Sequence, residues 1–310
     1  MKIYSWYTFF FSCFLLLFSG MLKKANKKTT FYFINLTNKF YFLHFILKKS
    51  YLKSHVDFDS YINYDSNIFL YEKYLGKHFY KNKNILDVGC FIGTKLKVLS
   101  DNGANQCVGL DLSKRGINFA IKRFSDNNLK FYNCSSAEFA SNRKNKSRFD
   151  YVLSYTVFEH IDKKDLLGVL NDAYDLLKTN GYFVVVYNFY FDQYGSHLWP
   201  YISHPWPQLL FREEYILEFA DIKLREYHKK GEMNYFSLGY LYSLNLHNAD
   251  SYQALNKLNH DSFESLLKKS RFKSFEKHNF SQTGIMRLFN FLFPSKELFK
   301  GSTIYILKKS

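Results

Sequence analysis

From residue 84 onward, short apolar runs alternate with stretches whose apolar positions recur at helical spacing. Ile85 to Val88 reads as a strand, and Thr94 to Asn102 as a helix closed by Gly103. Cys107 to Leu110 predicts a second strand ending at Asp111, and Ser113 is placed to cap a helix running to about Ser125. Lys130 to Cys134 and Phe149 to Tyr155 predict a third and a fourth strand. Leu166, Leu167, Val169, Leu170, Ala173, Tyr174 and Leu177 keep a helical stripe as far as Lys178. Asn180-Gly181 reads as the close of that helix, with a fifth strand from Tyr182. Strands and helices alternating at this length imply right-handed crossovers and a parallel sheet covered on both faces.

The N-terminal part has a different pattern. Residues 3 to 22 carry no charge, a length that can just span a hydrocarbon core, and Lys23, Lys24, Lys27 and Lys28 follow at once. This predicts a membrane tether with the rest of the chain on the cytoplasmic side. Met21 as a start codon would remove it. Residues 31 to 47 are again rich in Phe and Leu, and their spacing leaves two placements open, at a membrane surface or against the main domain. The resulting division is residues 1–28 as a hydrophobic segment, 29–80 as a helical extension, and 81–310 as the main domain.

Composition changes this picture little. The formal charge is +16 and aromatics make up 20% of the chain, but Lys, Phe and Tyr are spread along its whole length. No single stripe marks a nucleic-acid interface. Cys13, Cys90, Cys107 and Cys134 form no CxxC pair and have no metal-ligand spacing, which excludes a disulfide scaffold and fits a reduced compartment.

The chemistry centres on "ILDVGCFIGT", residues 85 to 94. A parallel sheet binds ligands beyond the carboxyl ends of its strands, beside the first. The dinucleotide fingerprint G-x-G-x-x-G fails, because Phe91 stands where the second glycine must approach a pyrophosphate and Thr94 where the third belongs. The phosphate loop G-x-x-x-x-G-K-[ST] is absent as well. The stretches "ILDVGCFIGT", "VGLDLS", "FDYVLSYTVFEHI" and "LLKTNGYFVVV", in that order and spacing, resemble the core of class I S-adenosylmethionine-dependent methyltransferases of the type-11, ubiquinone-biosynthesis-like group.

The resemblance implies a Rossmann-like, seven-stranded, mostly parallel α/β sheet with helices on both faces. It further implies S-adenosyl-L-methionine as cofactor, bound by Asp87, Gly89, Gly93, Asp111, Leu112, Ser136, Ala137 and Tyr155. In that reading Gly89 and Gly93 admit the ligand to the loop backbone. Asp87 favours its cationic end, Asp111 accepts the ribose hydroxyls, and the Phe91 ring turns away. Serine at 136 replaces the carboxylate the family often carries near the adenine. The segment from Asp261 then supplies the penultimate helix and sixth strand, and "STIYILKK" from Ser302 a seventh, antiparallel strand.

His160, in "FEHI", is a candidate general base, with packing at a helix start as the alternative. The amino-methylating [N/D]-P-P-[Y/F] pattern is missing after the fourth strand, where Ser154-Tyr155-Thr156-Val157 stands. Asp192 to Phe211 concentrates proline and tryptophan, and His197, His204, Trp199 and Trp206 are candidates to line an acceptor pocket within a cap insertion of about residues 190–260. The expected activity is methyl transfer to a small-molecule, glycan or lipid-linked hydroxyl acceptor, with nucleic acid not favoured. An RNA-modifying enzyme and a non-catalytic membrane-bound relative are the alternatives.

Overall fold

The computed structural model describes residues 18–47, 66–124, 126–193, 195–198, 201–202, 205–230, 255–280, 291 and 300–310. The chain forms two units. One comprises Val56–Tyr187, His260–Phe280 and Ser302–Ser310, and the other Met1–His55, Asn188–Asn259 and Ser281–Gly301.

The first unit is built on one sheet. Its strands are β1 (Asn84–Val88), β2 (Gln106–Leu110), β3 (Leu129–Tyr132), β4 (Phe149–Tyr155), β5 (Leu177–Tyr187), β6 (Phe275–Asn279) and β7 (Thr303–Lys308). Their order is β3-β2-β1-β4-β5-β7-β6. The first five pair in parallel, and β7 lies antiparallel between β5 and β6. The order reverses at β1, which pairs with β2 on one side and β4 on the other, so Asp87 stands opposite both Gly109 and Leu153. The expected seven-stranded, mostly parallel sheet is what the chain forms.

Helices α1 (Ser66–Leu75), α2 (Thr94–Asp101) and α3 (Lys114–Arg123) cover one face, burying Tyr71, Leu96, Leu99, Ile117 and Ala120 against Ile85, Cys107, Phe131 and Leu153. On the other side lie α4 (Ser136–Ser141), α5 (Leu166–Leu176) and α6 (His260–Lys269), whose buried residues include Phe139, Leu170 and Phe263. Local chemistry sets the helix starts. The Ser113 hydroxyl accepts from the Gly116 N–H at 3.1 Å, and Ser135 with Glu138 forms a reciprocal capping box.

One helix end differs from expectation. Asn180-Gly181 does not close α5, which stops at Leu176; β5 starts at Leu177 and runs through both residues. The carbonyls at the end of α5 are satisfied from far along the chain, because the Lys309 ammonium donates to Tyr174 O at 2.8 Å and Leu177 O at 2.7 Å. Asn180 bends the strand with φ 62°, and its N–H donates to Lys309 O at 2.8 Å.

The second unit, over its described residues, contains the helices Ser19–Leu22, Lys27–Leu47, Pro207–Leu210 and Glu213–Lys230. Leu22, Ile34, Leu198, Ile202, Leu210, Phe211, Ile216 and Phe219 form its core. Phe31 meets Phe219 edge-on at 5.3 Å, and the Asn38 amide donates to Tyr201 O at 2.8 Å. Of the charge-free stretch 3–22, residues 3–17 lie outside the described residues. Among the described residues no helix is long and apolar enough to cross a membrane.

Candidate functional site

The loop after β1 folds back on the ends of β2 and β4. The N–H groups of Gly89 and Cys90 both donate to Leu110 O, at 2.8 and 3.0 Å. Gly89 has φ +78°, and a Cβ there would collide with the Val157 side chain in the turn after β4. Gly93, at φ +76°, caps α2, and a Cβ there would collide with the Phe131 ring. Both positions therefore demand glycine for backbone and for space.

Phe91 takes the left-handed conformation without being glycine, at φ 49°. Such a residue costs about 1–2 kcal/mol. The conformation aims its N–H at Asp111 Oδ2, 2.7 Å away, a charge-assisted bond that offsets the strain. Asp111 Oδ1 accepts from the Ser113 N–H at 2.8 Å. Burial raises the Asp111 carboxyl above its ordinary range, and these two backbone donors oppose the rise. The Phe91 ring lies over Gly116 in the first turn of α3, where a Cβ would come within 3.1 Å of it. That is where the aromatic side chain goes when the glycine expected at this position is absent.

Asp87, at the end of β1, is not an isolated carboxylate. Lys95 in α2 donates to both its oxygens, at 3.0 and 3.1 Å. The ammonium lies 5.8 Å from the Tyr71 ring centre and 5.5 Å from that of Tyr155, so two aromatic faces and one carboxylate surround it. Lys95 and Tyr71 were not singled out from the sequence. The signal existed: Lys95 precedes Leu99 by one helical turn on the apolar stripe of α2, where a lysine must find a partner.

The ends of β2, β3 and β4 carry the other expected residues. Leu112, directly after Asp111, is 76% exposed. Ser136 is buried, and its hydroxyl donates to Asp172 Oδ2 at 2.7 Å. Ala137 sits in the first turn of α4 beside it. Tyr155 ends β4, and His160 lies two residues past Phe158 in the 3₁₀ turn Phe158–His160. Burial lowers the His160 imidazole to a pKa of about 4, so the ring is neutral near pH 7.

The acceptor-side candidates fall in the second unit. Trp199 and His204 lie outside the described residues. Trp206 is fully buried, has φ 57°, and its backbone N–H donates to Gln193 O at 2.7 Å. His197 is partly buried with φ 58°. The Gln208 amide ties the same segment together, donating to Tyr190 O at 2.7 Å and Asp192 O at 3.0 Å.

The donor set of the first unit suits a ligand with a diol and an apolar ring. Asp111 is oriented by two backbone donors, with lone-pair capacity beyond them, and an exposed leucine stands next to it. Together with the sheet order and the glycine loop, this defines the class of S-adenosylmethionine-dependent methyltransferases. The chain belongs to the methyltransferase domain family, whose model matches residues 67–249. The cofactor of this class is S-adenosylmethionine.

Among similar proteins, a mitochondrial ubiquinone biosynthesis O-methyltransferase of Dictyostelium discoideum is 38% identical over 88 residues, covering 26% of this chain and 27% of that protein. An uncharacterized protein of Rickettsia prowazekii is 29% identical over 105 residues, 34% of this chain and 42% of its own. The chain thus spans about a quarter of the first relative's length and about two fifths of the second's. A crystal structure of a SAM-dependent methyltransferase from Archaeoglobus fulgidus aligns over 79% of this chain and 100% of its own, with 15% identity and a TM-score of 0.46.

Proposed function

We propose that this protein transfers a methyl group from S-adenosylmethionine to a hydroxyl oxygen of a small-molecule, glycan or lipid-linked acceptor. The observation that carries the oxygen acceptor is His160. Its imidazole is held neutral by burial and follows β4, beside the loop that Gly89 and Val157 lock together. The place of His160 carries the reading, with its backbone N–H on Val157 O at 2.9 Å. The low pKa leaves the ring free to accept a hydroxyl proton but makes it a weak base, so its part is to orient the hydroxyl as the methyl moves. The Dictyostelium relative is named as an O-methyltransferase, which supports the same atom.

In this reading the cofactor, when bound, supplies an electrophilic methyl group on a sulfonium. The residues of the chain bind and orient. Asp111 would accept the ribose hydroxyls, Leu112 would offer an apolar face to the purine, and the Gly89–Gly93 backbone would border the ligand. Ser136 and Ala137 border the adenine, and Tyr155 with the Asp87–Lys95 pair borders the amino-acid end. Residues 3–22 are proposed as a tether to the membrane that would carry a lipid-linked acceptor.

The test is transfer of labelled methyl from S-adenosylmethionine to a panel of phenols, glycans and lipid-linked alcohols, each beside its amine analogue. Labelling of amines alone would overturn the oxygen assignment. Fractionation of the full chain against a chain starting at Met21 tests the tether, and equal solubility of the two would remove it.

A further inference from the structure

The sequence leaves residues 31 to 47 with two placements, and the second unit uses both faces of one helix. On Lys27–Leu47, Thr30, Ile34 and Thr37 are buried, and Ile34 joins the core of the unit. The opposite stripe is Lys28, Tyr32, Asn35, Leu36 and Lys39, all exposed, at the spacing of one helical face. Tyr32 is 68% and Leu36 51% exposed, large apolar groups left in water between two lysines. The turn before this helix adds exposed Lys23 and Lys24 and Met21 at 68% exposure.

We propose that this outer face, with the turn that precedes it, docks on an anionic lipid surface. Three observations select that occupant. Lys27 is paired with Glu218, but Lys23, Lys24, Lys28 and Lys39 are exposed and residues 18 to 39 contain no Asp or Glu, so this segment brings only positive charge to the face. A second copy of the chain would bring an equal positive charge to an isologous contact. The apolar groups are a leucine, a methionine and a tyrosine, and aliphatic side chains gain from entering an acyl boundary but not from a nucleic-acid phosphate backbone. A helix lying in the interface needs an apolar stripe flanked by lysines, which is the pattern of Lys28, Tyr32, Leu36 and Lys39. The inference is independent of the acceptor and, Met21 apart, of the charge-free stretch before Lys23.

Full-length protein is floated with vesicles of phosphatidylcholine alone and with vesicles containing about a third phosphatidylserine, at low and high salt. The wild type is expected to bind the anionic vesicles at least about tenfold more tightly, with the preference lost at high salt. A Lys23→Gln/Lys24→Gln/Lys28→Gln variant loses that preference. A Tyr32→Ser/Leu36→Ser variant binds both vesicle types at least several-fold more weakly, while circular dichroism and affinity for S-adenosylhomocysteine stay at wild type. Residues 3–22 are intact in both variants, so binding equal to wild type in both overturns the proposal while leaving the tether standing. Tight binding to an RNA or DNA oligonucleotide without vesicle binding overturns it, as does a dimer that dissociates in the Tyr32→Ser/Leu36→Ser variant. Absence of methyl transfer, by contrast, would not alter the vesicle result.

Discussion

Lys95 Nζ stands 3.0 Å from Asp87 Oδ1 and 3.1 Å from Oδ2, with both side chains buried. The carboxylate at the end of β1 thus meets its first cation within the chain. Removing one member of a buried pair strands the other, at a cost of about 3–5 kcal/mol. Lys95→Met is expected to lower urea stability by that amount, and Asp87→Asn/Lys95→Met together by clearly less than the sum of the single changes. Additive losses would show that the two side chains are not coupled.

Asp111→Ala is expected to reduce affinity for S-adenosylhomocysteine about tenfold or more, the effect of losing a charged acceptor worth about 1.5–3 kcal/mol. Calorimetry reads this directly. Unchanged affinity in a folded variant would remove Asp111 from the cofactor site.

Gly89→Ala sets a methyl against Val157 at a positive φ. A loss of cofactor binding, or of the fold, is expected. Val157→Ala should be nearly silent for binding and should partly rescue Gly89→Ala, because it relieves the collision but not the backbone strain. Rescue is measured by calorimetry on the double variant. Failure of any rescue would place the defect in the backbone alone.

His160 supplies a pH dependence with a definite sign. Its pKa is lowered by burial from the ordinary 6.5 to about 4. The unfolded chain therefore takes up a proton at higher pH than the folded one. The stability His160 contributes is fully present above about pH 6.5 and is lost as pH falls towards 4, with a slope of at most about 1.4 kcal/mol per pH unit. His160→Gln should flatten urea midpoints across that window, and should slow methyl transfer at pH 7 by roughly 10²-fold or more if the ring is the base. A variant with wild-type turnover would leave the ring a packing role only.

The parts legible from the sequence were those whose cause is local. Ile85–Val88 and the Ser113 cap each declare themselves within a few positions, while the antiparallel strand at Thr303–Lys308 came through the family resemblance and the Ser135–Glu138 capping box only with the structure. The misread parts have distant causes. Asn180-Gly181 looked like a helix end because its own residues favour one, but the carbonyls of α5 are met by Lys309. At Gly89 and Gly93 the need for glycine has a second, distant cause beyond the backbone approach of a ligand, because Val157 and Phe131 occupy the space where a Cβ would stand. Lys95 lies only eight residues from Asp87, but what buries its ammonium comes from elsewhere, from Tyr71 in α1 and Tyr155 at the end of β4.

The insertion of β7 between β5 and β6 has a consequence in time. During synthesis, β5 emerges about 120 residues ahead of its neighbour β7, roughly 6 to 24 s at ordinary elongation rates. Throughout that interval the edge of β5, with Val184, Val185 and Val186 in it, has no native strand beside it. Until β7 arrives, that edge offers unpaired backbone groups to any other strand that meets it. The sheet's completion is thus tied to the tail of the chain, and slower translation between residues 187 and 303 lengthens the exposure of β5 without altering the finished fold.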